Sequence, residues 1–305
     1  MTADTSPTTA AVPAGLEPRP LSADESRALA ERHALMQIGV RPPLATYVRD
    51  LWRKRHFIWT LASSQAYAAH QKYLLGQVWA VLNPLLLVAS YYLIFGVLLN
   101  TRRGTDNYLA FLTIGIFLFS FIASSMTSGA KAITNNIGLV RSLRFPRAVL
   151  PIAVTLTQLI HTLPALGVLV LLMLVTGEPI QLEWLMLPVA IVLLFLNVLG
   201  ITFFLARIVE ISRDIGNLVP VVTRLLRYIS GVFFSIDSYA GHPVVHAIMA
   251  YQPVSLPLTI TREALLAESP IHLGNWLLAL GWALVLPITG FLFFWRAEAR
   301  YGRAS

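Results

Sequence analysis

Five stretches of the chain, residues 78–99, 108–130, 148–176, 184–206 and 275–295, contain no Asp, Glu, Lys or Arg and are built mostly from Leu, Val, Ile, Phe and Ala. Each is long enough to cross a hydrocarbon core of ~30 Å, which takes about 20 helical residues. That feature commits the chain to an all-α integral membrane fold. Composition agrees: charged residues make up 12% of the chain and the mean hydropathy is +0.67, against roughly 25% charged residues in a soluble domain. A sixth candidate span, residues 215–236, is interrupted by Arg224 and Arg227. Without it the crossings are odd in number and the loop charges no longer fit one orientation.

With six transmembrane helices, Lys and Arg gather at 49–72, at 131–147, at Arg207 and Arg213, and at 296–303. The alternate connections, 100–107, 177–183 and 237–274, hold Arg102, Arg103 and Arg262 against several acids. Basic flanks stay cytoplasmic, so both termini are expected inside the cytoplasmic membrane, the inner or plasma membrane of the cell. The net charge of +8 then faces anionic membrane lipid. No basic-aromatic module points to nucleic acid. Cysteine is absent, which removes disulfide and thiolate chemistry. The domain reading is a partly disordered cytoplasmic tail over 1–43, a transmembrane domain over 44–300 and a short tail over 301–305. Residues 1–43 contain no apolar run of the kind a secretory signal needs. Ser22 and Glu25 fit a capping box opening a helix over 22–38, and the part through Pro20 reads as disordered.

Ahead of the first span, Leu44, Tyr47, Val48, Leu51, Trp52 and Trp59 recur at helical spacing, with Arg49, Arg53 and Lys54 on the other side. This predicts an amphipathic helix in the cytoplasmic interface, with Tyr47, Leu51, Trp52 and Trp59 toward lipid. The long stretch 237–274 holds two apolar pieces, 244–249 and 254–266, both too short to span. They read either as short external re-entrant helices or as helices on the outer surface.

No zinc-type His/Glu spacing, no nucleophile elbow and no phosphate loop occurs. The chain is thus not expected to be an enzyme, and ATP with Mg²⁺ would belong to a partner subunit. His161 stands alone in the third span; with no carboxylate on that span, a helix–helix hydrogen bond is the simpler reading than a proton relay. Two basic connections mix apolar and charged residues: 131–147 (KAITNNIGLVRSLRFPR) and 207–217 (RIVEISRDIGN). Each suits a short helix lying across the membrane face and docking in a groove of a soluble partner. Asn136, Arg141, Phe145, Pro146 and Arg147, with Glu210, Arg213 and Asp214, are the residues expected to meet it. The acids near the membrane (Asp106, Glu178, Glu183, Glu210, Asp214, Asp237) show no paired spacing beyond Glu210 and Asp214 at i, i+4, which fits a salt-bridged docking helix.

Arg224 and Arg227 are three apart and project from one helix face. A guanidinium near the bilayer centre costs ~3 kcal/mol or more. Either they line a water-filled path or meet an anionic headgroup such as a diphosphate, whose geometry suits the Arg fork, or they snorkel to the interface. Aromatics are frequent in the spans; Tyr91, Tyr92, Phe117, Phe233 and Phe234 are candidates to line a path along which sugar rings slide.

Several of these segments resemble one family in order along the chain. Residues 73–99 (YLLGQVWAVLNPLLLVASYYLIFGVLL) are similar to the first span of ABC-2 type polysaccharide export permeases. Residues 108–119, and then 136–151 (NIGLVRSLRFPRAVLP), resemble its second span and following loop. Arg213-Asp214-Ile215 resembles its Arg-Asp motif, and Gln252-Pro253 with Thr261-Arg262 resembles its external Asn-Pro…Arg segment. Gln252 stands where Asn is usual, and Ser230-Gly231 where a Ser-Pro kink is common. The resemblance covers about residues 44–300. It implies the transmembrane subunit of an ABC exporter, a homodimer joined to two ATP-binding cassette subunits. It also implies coupling through the N-terminal amphipathic helix and the connections 136–147 and 207–214. The implied cargo is a lipid-linked glycan on a polyprenyl diphosphate, such as O-antigen, teichoic acid or cell-wall galactan; the Ala- and Arg-rich usage of a high-GC genome puts galactan first. The alternatives are a drug or lipid permease of the same superfamily, and a membrane enzyme acting on polyprenyl-linked sugars.

Overall fold

In the computed structural model the described residues are 22–32, 42–71, 76–98, 105–239 and 241–301, and no strand occurs among them. The chain divides into two compact units, Met1–Val40 and Arg41–Ser305. In the first, α1 (Ala23–Arg32) opens with the capping box expected from its sequence. The Glu25 N–H donates to Ser22 Oγ at 3.2 Å and the Ser22 N–H to Glu25 Oε2 at 2.8 Å, satisfying two orphan donors reciprocally. The described helix ends at Arg32; residues 33–41 and the stretch through Pro20 lie outside the described residues.

The second unit runs α2 (Leu44–Arg53), α3 (Arg55–Gln71), α4 (Gly76–Tyr91) with a π-helical continuation Tyr92–Leu98, α5 (Tyr108–Ala130), a 3₁₀ turn Thr134–Asn136, α6 (Ile137–Ser142) and α7 (Val149–Val175). It continues through a 3₁₀ turn Leu182–Met186 to α8 (Leu187–Ile211), α9 (Ile215–Ile229), α10 (Ile236–Tyr239), α11 (Pro243–Ala250), α12 (Ser255–Leu265) and α13 (Leu273–Trp295). Five stretches are long and apolar enough to cross a membrane: Val81–Leu98, Tyr108–Ala130, Val149–Val175, Leu182–Ile211 and Leu273–Trp295. These are the five charge-free runs. The sixth candidate is helical only over Ile215–Ile229, 15 residues, which at 1.5 Å per residue falls short of a ~30 Å core. It stops because Ser230 caps it and Gly231 adopts φ +66°, turning the chain so that Val232 and Phe233 are buried.

α5 is the central helix, buried along most of its length, with α4, α7, α8, α9 and α12 packed around it. Small residues set the approach distances, as they do where apolar solvent leaves packing to drive helix association. At the α8–α13 crossing a Cβ on Gly290 would lie 2.6 Å from the Gly200 carbonyl oxygen, so these backbones touch directly.

Contacts define two ends of the bundle. At one, Tyr47 of α2, Arg147 before α7, Arg207 of α8 and the segment after α13 meet; at the other, Asn107, Glu178 and Ala267 meet. Lys and Arg are thus gathered at the first end, called here the basic end.

The predicted interface helix is corrected in two respects. It is broken at Lys54 into α2 and α3, and its apolar residues divide between two environments. Tyr47 is 1% exposed and packs with Phe203, Phe294 and Tyr301, and Leu51 is partly buried against the same cluster. The residues after α13 supply the cover that pattern alone did not reveal. Trp52 and Trp59, 71% and 58% exposed, keep the outward position expected of them. α3 lies along α7, where Thr157 Oγ1 donates to the Ala62 carbonyl at 3.2 Å.

The two short apolar pieces at the opposite end separate. α12 is buried at every position but Thr259, against α5, α8 and α13, as a re-entrant helix would be. α11 has no buried residue and exposes Val244, Val245 and Ile248.

Candidate functional site

At the basic end the two predicted docking connections lie side by side: a Cβ on Gly216 would approach Lys131 Cε at 3.5 Å and Val209 Cγ1 at 3.2 Å. In the first connection the apolar residues are used inside the chain. Ile133, Val140 and Phe145 are buried, and Phe145 meets the Phe57 ring edge-on at 5.6 Å. Phe145 is therefore a core residue rather than an outward docking one. Pro146 and Arg147 are half-buried, and Asn136 folds back, donating to the Ala132 carbonyl at 2.8 Å. What faces outward is Arg141, Leu143 and Arg144.

In the second connection Ser212 adopts an extended conformation between α8 and α9. Glu210 and Asp214 consequently do not share a helix, and the i, i+4 pairing drawn from spacing is replaced. Glu210 instead ion-pairs with Arg207 one turn back. Arg207 is itself buried and lies over the Tyr301 ring at 5.7 Å. Arg213 and Asp214 are exposed, and Asp214 makes no capping hydrogen bond at the start of α9.

Behind this surface sits a polar junction of three segments. Tyr47 Oη donates to Glu298 Oε2 at 2.7 Å and accepts from the Ala148 N–H at 3.0 Å. Glu298 Oε1 accepts from the Arg147 N–H at 3.0 Å and from Arg147 Nη1 at 3.3 Å. Burial pushes the Glu298 carboxyl above the ordinary glutamate range, against the Arg147 and Tyr47 contacts that pull it down. Glu298 carries no local signal, since its partners lie 151 and 251 residues away.

Toward the opposite end the predicted path residues fall into two groups. Tyr91, Phe95, Tyr228 and Phe233 form one aromatic cluster, with Phe233 at 4.4 Å from Tyr91, 5.2 Å from Phe95 and 5.3 Å from Tyr228. Tyr92 stacks on Tyr108 at 6.2 Å. Phe233 and Phe117 are 1% exposed, so within one chain they are packing residues; Phe234 is half-buried. Phe117 also borders a cavity of about 360 Å³ between α4, α5 and α7, lined by Asn83, Ser120, Gln158 and His161. On α9, Arg224 is exposed and Arg227 lies over the Phe119 ring at 5.2 Å.

Arg262, which the resemblance placed in an external Asn-Pro…Arg segment without giving it a role, is a buried fastening charge. It is 7% exposed, and its guanidinium donates to the carbonyls of Gly231 at 2.9 Å, Val232 at 3.3 Å and Phe111 at 3.4 Å, over the Phe111 ring. It thus fastens the turn after α9 to α12 and α5. Gly115 makes room for this, since a Cβ there would meet Arg262 Nη2 and the Val232 carbonyl at 2.7 Å.

No group of three His, Asp or Glu able to hold a metal occurs among the described residues. The fold and these surfaces define a multi-pass helical membrane protein whose polar groups fasten helices together at both ends. Residues 56–266 match the ABC-2 type transporter family, and the chain belongs to it. The O-antigen export system permease protein RfbA of Myxococcus xanthus is 25% identical over 233 residues, 76% of this chain and 88% of that protein. A Klebsiella pneumoniae protein of the same name is 25% identical over 218 residues, 71% of this chain and 80% of its own. A further one from that organism is 27% identical over 165 residues, 54% of this chain and 63% of its own. The family resemblance read from the motifs therefore holds, and the chain is a transporter's membrane subunit rather than an enzyme.

Proposed function

We propose that this chain is the membrane half of an ATP-driven exporter that moves a polysaccharide, assembled on a polyprenyl diphosphate, out through the cytoplasmic membrane. The observation that carries the reading is the match to relatives named O-antigen export permeases over most of their own length. The basic end faces the cytoplasm, in keeping with the positive-inside rule. There the exposed groups Arg141, Leu143 and Arg144 of one connection and Arg213 and Asp214 of the other form the surface for an ATP-binding cassette partner, which supplies the ATP and Mg²⁺ chemistry. Two copies of this chain assemble with two such partners. Supporting this, α9 packs on α5 by one face and leaves Leu218, Val221 and Leu225 exposed beside Arg224. The diphosphate meets Arg224 and Arg227, and the aromatic residues near Tyr91 and Tyr92 border the glycan path. Cell-wall galactan is the first candidate glycan.

The test is co-purification and transport. Tagged protein should bring down one ATP-binding chain, and the purified permease alone should hydrolyse no ATP. Depleting it in its host should accumulate lipid-linked glycan on the cytoplasmic face. Unchanged glycan export, with drug efflux lost instead, would favour a drug permease of the same family.

A further inference from the structure

At the end opposite the basic one, a cavity of about 850 Å³ opens between the turn after α9 and the segments α10, α11, α12 and α13. Its volume lies within the range of small-ligand pockets. Arg262 and Phe111 form part of its wall, and Asp237, His246, Tyr251 and Asn275 are arrayed around it. Three features of this lining are built rather than incidental. Tyr251 is half exposed, and its backbone carbonyl is held by Trp282 Nε1 at 3.0 Å. The His246 ring stands edge-on to Tyr251 at 6.4 Å and is bonded to Asp237 at 2.6 Å. Glu263, 4% exposed, accepts from Asn275 Nδ2 at 2.6 Å, Trp276 Nε1 at 2.9 Å and the His272 N–H at 3.2 Å, which fixes Asn275 in the wall. The buried Arg262 has its Nε without a partner.

We propose that this vestibule binds a short neutral saccharide. An aromatic face beside a carboxylate, an imidazole and an amide is the set that matches a sugar ring: the ring's apolar face covers Tyr251 while vicinal hydroxyls bridge Asp237, His246 and Asn275. An anion fits poorly. Asp237, Glu263 and Glu268 all line the cavity, and the terminal donors of Arg262 are spent on three carbonyls. This site lies apart from Arg224 and Arg227 in the sequence of elements and deepens the export reading, on which its physiological role rests: it would hold the glycan after it leaves the membrane.

The experiment uses full-length protein in lipid nanodiscs. Saturation-transfer NMR titrations use galactotriose, mannotriose and maltotriose, with galacturonic acid trimer as the charged control. At least one neutral trisaccharide should bind saturably, with the galacturonate trimer bound about tenfold more weakly or not at all. Tyr251→Ala should weaken that binding by about tenfold, and Asp237→Asn should weaken it as well. Both variants must keep the wild-type melting temperature; the exposed positions favour that, and Asp237→Ala and Tyr251→Leu stand in if either melts early. Absence of binding by all three neutral sugars, equal binding of the galacturonate trimer, or unaltered binding in the folded variants overturns the proposal. Export with the ATP-binding partner is measured in parallel. Intact export without vestibule binding removes this site and leaves the export reading standing. Binding without export in the complete system removes the export reading and leaves the site.

Discussion

Glu298 shows how a single charged residue can organise an end of a membrane bundle. It is one of the few acids near the basic end, and its two oxygens join α2, the start of α7 and the segment after α13. A buried acceptor left without its donor costs about 1–3 kcal/mol. Tyr47→Phe removes the donor to Glu298 and the acceptor for the Ala148 N–H together, so it should lower the melting temperature in detergent, whereas Trp52→Phe on the exposed face should leave it unchanged. Burial raises the Glu298 pKa above that of the unfolded chain. As pH rises, the unfolded chain therefore releases this proton first. The contribution to stability falls between the ordinary glutamate pKa and the raised folded value, and is level above it. Glu298→Gln should flatten that arm of a melting-temperature profile against pH; an unchanged slope would show that another group sets it. Arg262 is the counterpart at the other end. Its fork reaches three carbonyls, a geometry that a lysine ammonium cannot reproduce. Arg262→Lys should therefore give an early-melting protein, and recovery of wild-type melting in that variant would remove the fastening role.

Among the elements, the α8–α13 pair and the short α9 follow different rules. α8 and α13 approach until Gly200 and Gly290 touch, and such an interface accepts no side chain. Gly290→Leu should cost about 1–3 kcal/mol through overpacking, read as a lower melting temperature, while Gly281→Leu, where a Cβ meets open space, should not. α9 is shorter than a span and bears its arginines beside an exposed apolar stripe. Its end is set by Gly231, whose φ of +66° L side chains rarely adopt.

For the whole molecule, the question is how work done elsewhere reaches the bundle. The exposed groups of the two connections are where a partner can grip most directly, because Phe145 and Arg207 are committed to internal contacts. Reversing charge at Arg213 and Asp214 together should leave ATP hydrolysis by the assembled complex largely intact and reduce export by about tenfold or more. Equal losses in both would mean that assembly, not coupling, was broken. The absence of cysteine makes a second measurement clean: Leu225→Cys should oxidise to a covalent dimer in membranes if two copies meet along α9, and should stay monomeric if that stripe faces lipid.

Charge-free length alone determined the five spans, because lipid tolerates neither exposed backbone nor charge over ~30 Å. The capping box of α1 was equally legible, being a contact between residues three apart. Charge asymmetry grouped the two basic connections on one side of the membrane, but that they lie side by side is a contact only the fold shows. Only the tertiary structure decided where amphipathic segments turn their faces. Tyr47 and Trp52 sit in one pattern, yet one is buried and the other bare, because the cover arrives from residues about 250 positions away. Distant segments likewise decide the surroundings of Phe145, Glu298 and Arg262. Helical periodicity fixes which residues share a stripe, whereas what covers that stripe depends on contacts between distant segments that no local pattern records.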